Sequence, residues 1–145
     1  MQATALAGTD GASAQFFSPD GQWLGFFANG KLNKMSVTGG AAVPLCDAPS
    51  GRGGTWVNDD TIIFAPDLVI GTRLLRVSSA GGTPEPFSSL GKDGVTQRWP
   101  QEIAGRVVLY TEHSRVDSFD AANLVVAPLT GGAPKIVARG GYYGR

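Results

Sequence analysis

The chain has 145 residues, enough for one domain with a real core, and its 12 basic side chains balance 12 acidic ones. Such a surface carries no net field to draw nucleic acid or an anionic membrane, so neither is expected as a partner. No apolar run is long enough to cross a bilayer, Met1 to Ala7 lacks the pattern of a secretory signal, and a single cysteine, Cys46, excludes an intrachain disulfide or a cysteine-based zinc site.

Helical periodicity is almost absent, while strand signals are dense and punctuated by 21 glycines and 9 prolines spread along the chain. The first unit opens with Ala14-Gln15-Phe16-Phe17, turns at Ser18-Pro19-Asp20-Gly21 and continues as Trp23 to Phe27. Asn29-Gly30 is a hairpin turn, because both residues tolerate positive φ. Lys31 to Val37 alternates polar and apolar as a half-buried strand does. Gly39-Gly40 turns the chain again into Val43-Pro44-Leu45-Cys46, an outer strand where a proline costs least.

The second unit runs through Gly54 to Val57, a turn at Asn58-Asp59-Asp60, Thr61 to Ala65, a longer connection from Pro66 to Thr72, and Arg73 to Ser78. Gly81-Gly82 then precedes Pro84 to Phe87. The third runs through Gln97 to Gln101, a turn near Ala104-Gly105, Arg106 to Thr111, an insert from Glu112 to Asn123, Leu124 to Leu129, Gly131-Gly132 and Pro134 to Val137.

The Gly-Gly pairs fall 42 and 50 residues apart, the period of a β-propeller blade, and each unit supplies four strands. The expected fold is all-β: a single propeller segment, 1–145, of three four-stranded blades at about 13–47, 52–89 and 95–138, with 139–145 starting a fourth unit. Phe17, Trp56 and Trp99 at the ends of first strands, and Phe27, Phe64 and Tyr110 at the ends of second strands, are expected as core between blades. Three blades do not close a ring and would leave two apolar sheet faces open. The expectation is half of a six-bladed ring, completed by self-association as a two-fold homodimer, or a piece of a longer propeller.

Phe17-Ser18-Pro19-Asp20-Gly21-Gln22-Trp23-Leu24-Gly25-Phe26, followed by a Gly-Gly turn and a short closing strand, resembles the TolB-like or PD40 repeat, a relative of WD40. Residues Gly30-Lys31-Leu32, Leu45-Cys46-Asp47-Ala48-Pro49, Gly51-Arg52-Gly53-Gly54 and Arg98-Trp99-Pro100 make Phe16 to Arg98 similar to the propeller attached to some bacterial serine/threonine protein kinases. The resemblance implies a sensor or protein-interaction module outside the cytoplasm or in the periplasm. The Ser-Pro-Asp-Gly turn is intact only in the first unit; Asn58-Asp59-Asp60 and Ile103-Ala104-Gly105 replace it in the others. No kinase motif is present, so kinase activity would belong to another domain.

No catalytic residue, metal site or cofactor is expected. Asp117, Asp120 and Asn123 offer oxygen donors, but without the glycine and spacing of a calcium loop. His113, the one histidine, lies in the insert with Ser114, Asp117 and Ser118, and no nucleophile elbow accompanies it. Gly51-Arg52-Gly53-Gly54 is a flexible basic turn that leads into no helix and so lacks the usual phosphate-binding end. Cys46 reads as a small buried hydrophobe. The sharper set is Arg52, Arg98 and Arg145, each in a segment entering a first strand. First strands line a propeller's channel, so these guanidiniums are expected near one mouth, where they would bind carboxylate or phosphate. The expected function is a non-catalytic module presenting that mouth to a protein or small anionic ligand. The alternatives are an anion-binding or hydrolytic enzyme with its site in the channel, and a purely structural propeller fragment.

Overall fold

The computed structural model describes residues 6–58, 60–113 and 121–141. Their strands form three four-stranded antiparallel sheets, each a meander in chain order. Blade one holds β1 (Ser13–Phe17), β2 (Trp23–Ala28), β3 (Lys31–Ser36) and β4 (Val43–Asp47). Blade two holds β5 (Gly54–Val57), β6 (Thr61–Phe64), β7 (Leu75–Ser78) and β8 (Glu85–Pro86), and blade three β9 (Thr96–Ile103), β10 (Val107–His113), β11 (Asn123–Pro128) and β12 (Lys135–Arg139). The inner strands β1, β5 and β9 lie side by side, as the strands around a propeller axis do.

Local chemistry explains the turns. Asn29 and Gly30 both take positive φ, 53° and 71°, the hairpin geometry that closes β2 on β3. In Ser18-Pro19-Asp20-Gly21, the Ser18 hydroxyl donates to Asp20 at 2.5 Å and accepts the Trp23 N–H at 2.9 Å. Asp20 also accepts the Gln22 N–H at 3.0 Å, and these bonds, led by the hydroxyl, hold its carboxyl below the usual carboxylate range.

Register shows how the blades correspond. Phe17–Leu24–Met35, Trp56–Ile62–Val77 and Glu102–Val108–Ala127 are equivalent rows, each on the face toward the preceding blade. Phe16–Gly25–Lys34, Thr55–Ile63–Arg76 and Gln101–Leu109–Val126 are the rows on the opposite face. Two places before the second set, each inner strand has a left-handed residue: Ala14 (φ 49°), Gly53 (φ 97°) and Trp99 (φ 51°). In blades one and three the ladder shifts register there, as a β-bulge does.

The expected set of core aromatics is therefore corrected at two positions. Trp56, Phe27, Phe64 and Tyr110 are buried, but Phe17 is 61% exposed. It faces away from blade two, and Phe16 supplies the ring between blades one and two. Trp99 occupies the bulge and is only partly buried; Glu102 stands where blade two has Trp56. Spacing counted back from the turns cannot detect a bulge, and one extra residue sends the next side chain to the other face.

Two cores fill the spaces between blades. Phe27, Leu32, Leu45, Trp56, Ile62, Phe64 and Val77 pack between blades one and two, and Val57, Ile63, Leu74, Val108, Tyr110 and Val125 between blades two and three. The Phe16 ring meets Trp56 edge-on, with centroids 6.4 Å apart. It lies so close to Gly25 and Gly54 that a Cβ on either would come within 2.4 Å and 2.5 Å of it. A Cβ on Gly51 would stand 2.0 Å from the Phe27 ring.

The expectation of two open end faces is corrected for blade one. On blade one Leu24, Phe26 and Met35 are buried, with Leu6, Ala28 and Ala42 packed against them, because the segment before β1 folds across the sheet. Phe17, at the inner strand, stays exposed there. On blade three the outward row is part-exposed at Gln101, Leu109 and Val126, and Ile103 beyond it is exposed.

Gly51 is outside the left-handed region, so substitution there tests packing alone. Gly51→Ala should lower unfolding stability by about 1–3 kcal/mol through displacement of the Phe27 ring, read from urea denaturation. A wild-type midpoint would refute the close packing.

Candidate functional site: the channel and its arginine mouth

The inner strands of all three blades line one cavity of about 440 Å³, walled by Ala14 to Phe17, Gly53 to Trp56 and Trp99 to Glu102. That lies within the range of small-ligand sites, about 300–1,000 Å³. Its polar groups are Gln15, Thr55, Gln101 and Glu102. The Thr55 hydroxyl accepts the Glu102 N–H at 3.1 Å, joining blades two and three across the wall. Trp56 Nε1 and Gln101 Oε1 are buried without a hydrogen-bond partner among the described residues, leaving one donor and one acceptor in the residues that wall the cavity.

Arg52 and Arg98 immediately precede the left-handed residues Gly53 and Trp99, so they hold equivalent places in blades two and three; blade one has Ser13 there. Their backbones are tied together. The Arg52 N–H donates to the Ala65 carbonyl at 2.9 Å, and the Arg52 carbonyl accepts the Trp99 N–H at 2.8 Å. Gly53 permits this approach in two ways. Its φ of 97° disfavours any side chain, and a Cβ would lie 2.9 Å from Trp99 Cα. Burial, then the charge of Arg52, pushes the Arg98 pKa below the usual arginine value. An anion received between them would relieve that repulsion. Arg145 lies outside the described residues.

The turn expected to be flexible at Gly51-Arg52-Gly53-Gly54 is instead tightly packed, with its glycines under Phe27, Trp99 and Phe16 and the Arg52 amide already bonded. Its glycines serve blade packing, and the Arg52 amide is not open for a phosphate. His113, expected within the insert, ends β10 at 4% exposure, and its carbonyl accepts the Val95 N–H at 2.6 Å. Ser114, Asp117, Ser118 and Asp120 lie outside the described residues, and Asn123 begins β11. Among the described residues no group of three His, Cys, Asp or Glu side chains is placed to hold a metal ion.

Cys46 is half-buried against the core between blades one and two, and burial raises its pKa to about 11, with the Asp47 charge adding to the effect. At neutral pH it is a thiol and a poor nucleophile.

One polar cluster escapes sequence reading. Gln97 is fully buried at the start of β9. Its Oε1 accepts the Leu74 N–H at 3.1 Å and the Ser88 hydroxyl, while its Nε2 donates to Glu112 Oε2 at 2.7 Å and the Ser89 carbonyl at 3.0 Å. Glu112 also accepts the Gly91 N–H at 3.1 Å. The group fastens the connector between blades two and three at the start of β9, next to Arg98. Only the alternation of β9 and β10 hints at it, by pairing Gln97 with Glu112 across the strands.

No protein-family model and no curated protein sequence matches the chain. Solved structures do resemble it. A putative TolB from Agrobacterium tumefaciens superposes with a TM-score of 0.73 at 16% identity, over 90% of this chain and 52% of that one. TolB from Acinetobacter baumannii gives 0.69 at 18% identity, over 92% of this chain and 33% of that one. The protein thus has the TolB-like β-propeller fold, and it spans about half and a third of the lengths of those structures.

Proposed function

We propose that this propeller segment is a non-catalytic binding module that receives an anionic group of a protein or small ligand at the mouth formed by Arg52 and Arg98. The observation that carries the reading is the equivalent placement of the two arginines, each one residue before a strand segment that walls a cavity shared by three blades, with the Arg52 charge acting on Arg98. The cavity's polar residues are amides, a hydroxyl and one carboxylate, a set suited to binding more than to hydrolysis. Arg145 would join the mouth from the next unit. Phosphate or citrate should raise the melting temperature of the wild type and not that of Arg98→Ala. Equal shifts in both would sink the anion site.

We also propose that the ring is completed by self-association. Trp56 is buried because Phe16 of the preceding blade lies against it; Phe17, its counterpart on blade one, is open for want of such a neighbour. The open row of blade three offers Gln101 at the place of Phe16. A second copy docking blade three on blade one, twice about a two-fold axis, would cover both faces and give six blades. The segment from Leu6 would then sit at the new interface much as Ala48 sits in the core between blades one and two. Light scattering should give twice the 15.0 kDa chain mass, falling to one on Phe17→Asp. A monodisperse wild-type monomer would overturn the dimer.

The third part of the reading is that the propeller is the extracytoplasmic sensor of a membrane-bound protein kinase. Its support is the run Phe16 to Arg98. The coding sequence upstream should then encode a transmembrane helix and a kinase domain; an upstream region with neither removes this part and leaves the binding module standing.

A further inference from the structure

The connection between β6 and β7 carries Leu68, Val69 and Ile70 with 43%, 57% and 66% of their surfaces exposed, three consecutive aliphatic side chains held in water. A loose loop could fold such residues inward, but the ends of this one are fastened. Pro66 and Ala65 accept the Ser50 and Arg52 N–H groups at 3.2 Å and 2.9 Å. At the other end the Gly71 N–H donates to Val95 at 2.8 Å, and Thr72 accepts the Gln97 N–H at 3.0 Å. Within the loop the Thr72 N–H returns to the Val69 carbonyl at 3.1 Å, and the Leu68 N–H is taken by Asp67 Oδ1 at 2.6 Å.

These anchors place the tip. One end is bonded to the connector bearing Arg52, the other to the strand segment that leads into Arg98. The aliphatic tip and the arginine pair therefore belong to one end of the propeller, with the loop bridging the two segments that supply the charges. An exposed apolar patch on a bonded backbone loses little freedom when it is covered, which favours binding. Charge complementarity selects the occupant. A ligand that satisfies both parts needs carboxylates for the guanidiniums and bulky apolar groups for the tip, close together on one molecule.

We propose that the mouth takes an acidic, apolar polypeptide segment from a partner protein, with its carboxylates at Arg52 and Arg98 and its aliphatic or aromatic side chains on Leu68, Val69 and Ile70. This rests on the anion-binding reading of the two arginines and extends it from a charge to a class of partner. A lone small anion would leave the aliphatic tip in water. A lipid surface would engage the tip, but the arginines flanking the loop's bases sit on packed strand-entry segments and Arg98 is part-buried.

The test uses the whole chain and three fluorescein-labelled hexapeptides: alternating glutamate and leucine, all glutamate, and alternating lysine and leucine. Fluorescence anisotropy should show the glutamate–leucine peptide binding at least about tenfold tighter than either other peptide. Ile70→Asp and, separately, Val69→Ser should each remove most of that advantage without changing the thermal midpoint, because both side chains are exposed. Arg98→Ala should weaken both glutamate peptides. If the two glutamate peptides bind alike, the peptide-class inference fails while the arginine site survives. If neither glutamate peptide binds and citrate gives no thermal shift, both readings fall. Equal binding of the lysine–leucine peptide would reduce the tip to non-specific adhesion and overturn the proposal. Binding to phosphatidylglycerol vesicles that Ile70→Asp abolishes, with no peptide bound, would assign the tip to lipid instead.

Discussion

Everything in this molecule depends on how closely one blade can approach the next. The gap between blades one and two is filled by Phe16, Phe27, Trp56 and Phe64, and the rings fit only because Gly25, Gly51 and Gly54 have no side chain where the rings lie. Sheets stack at a spacing set by their largest side chains, so pairing bulky rings with glycines brings the strands together without voids. The same contacts place β1, β5 and β9 side by side and so define the channel wall. Burial of aromatic surface holds the assembly together; the glycines determine its geometry.

A second constraint acts at the head of each inner strand. Ala14, Gly53 and Trp99 all adopt left-handed backbone, an unfavourable state for alanine and tryptophan that persists only where surrounding contacts over-determine it. Its recurrence in three blades marks it as part of the repeat. In blades two and three it lets the chain turn sharply after an arginine, and the Arg52 carbonyl then meets the Trp99 amide. The backbones bearing the two arginines are thus held together by hydrogen bonds between blades, and the aliphatic connection of blade two is fastened to the same segments.

The polar group around Gln97 and Glu112 does for the connectors what the aromatics do for the sheets. A buried amide and a buried carboxylate cost heavily unless every lone pair and proton is used, and here they satisfy the Leu74 and Gly91 amides and the Ser89 carbonyl. At the ends of the three-blade array, Phe17 and the row Gln101–Leu109–Val126 retain exposed surface.

Much of the architecture could be read directly from residue order. Asn29-Gly30 and the Gly-Gly pairs are local signals: their φ requirements are intrinsic to the residues, so turns, strand count and blade period follow without tertiary knowledge. The entry of Arg52 and Arg98 into first strands follows from the same period. Other features are invisible to it. A bulge adds one residue without altering composition, so the exchange of Phe17 for Phe16, and of Trp99 for Glu102, emerges only when strands are paired in register. The covering of blade one by Leu6, the effect of Arg52 on Arg98, the burial of Gln97 with Glu112 and the anchoring of the Leu68–Ile70 connection to the segments bearing Arg52 and Arg98 join residues far apart in the chain. Local preference determines where a chain turns and which stretches extend; which side chains then meet is decided by packing and hydrogen bonding between blades.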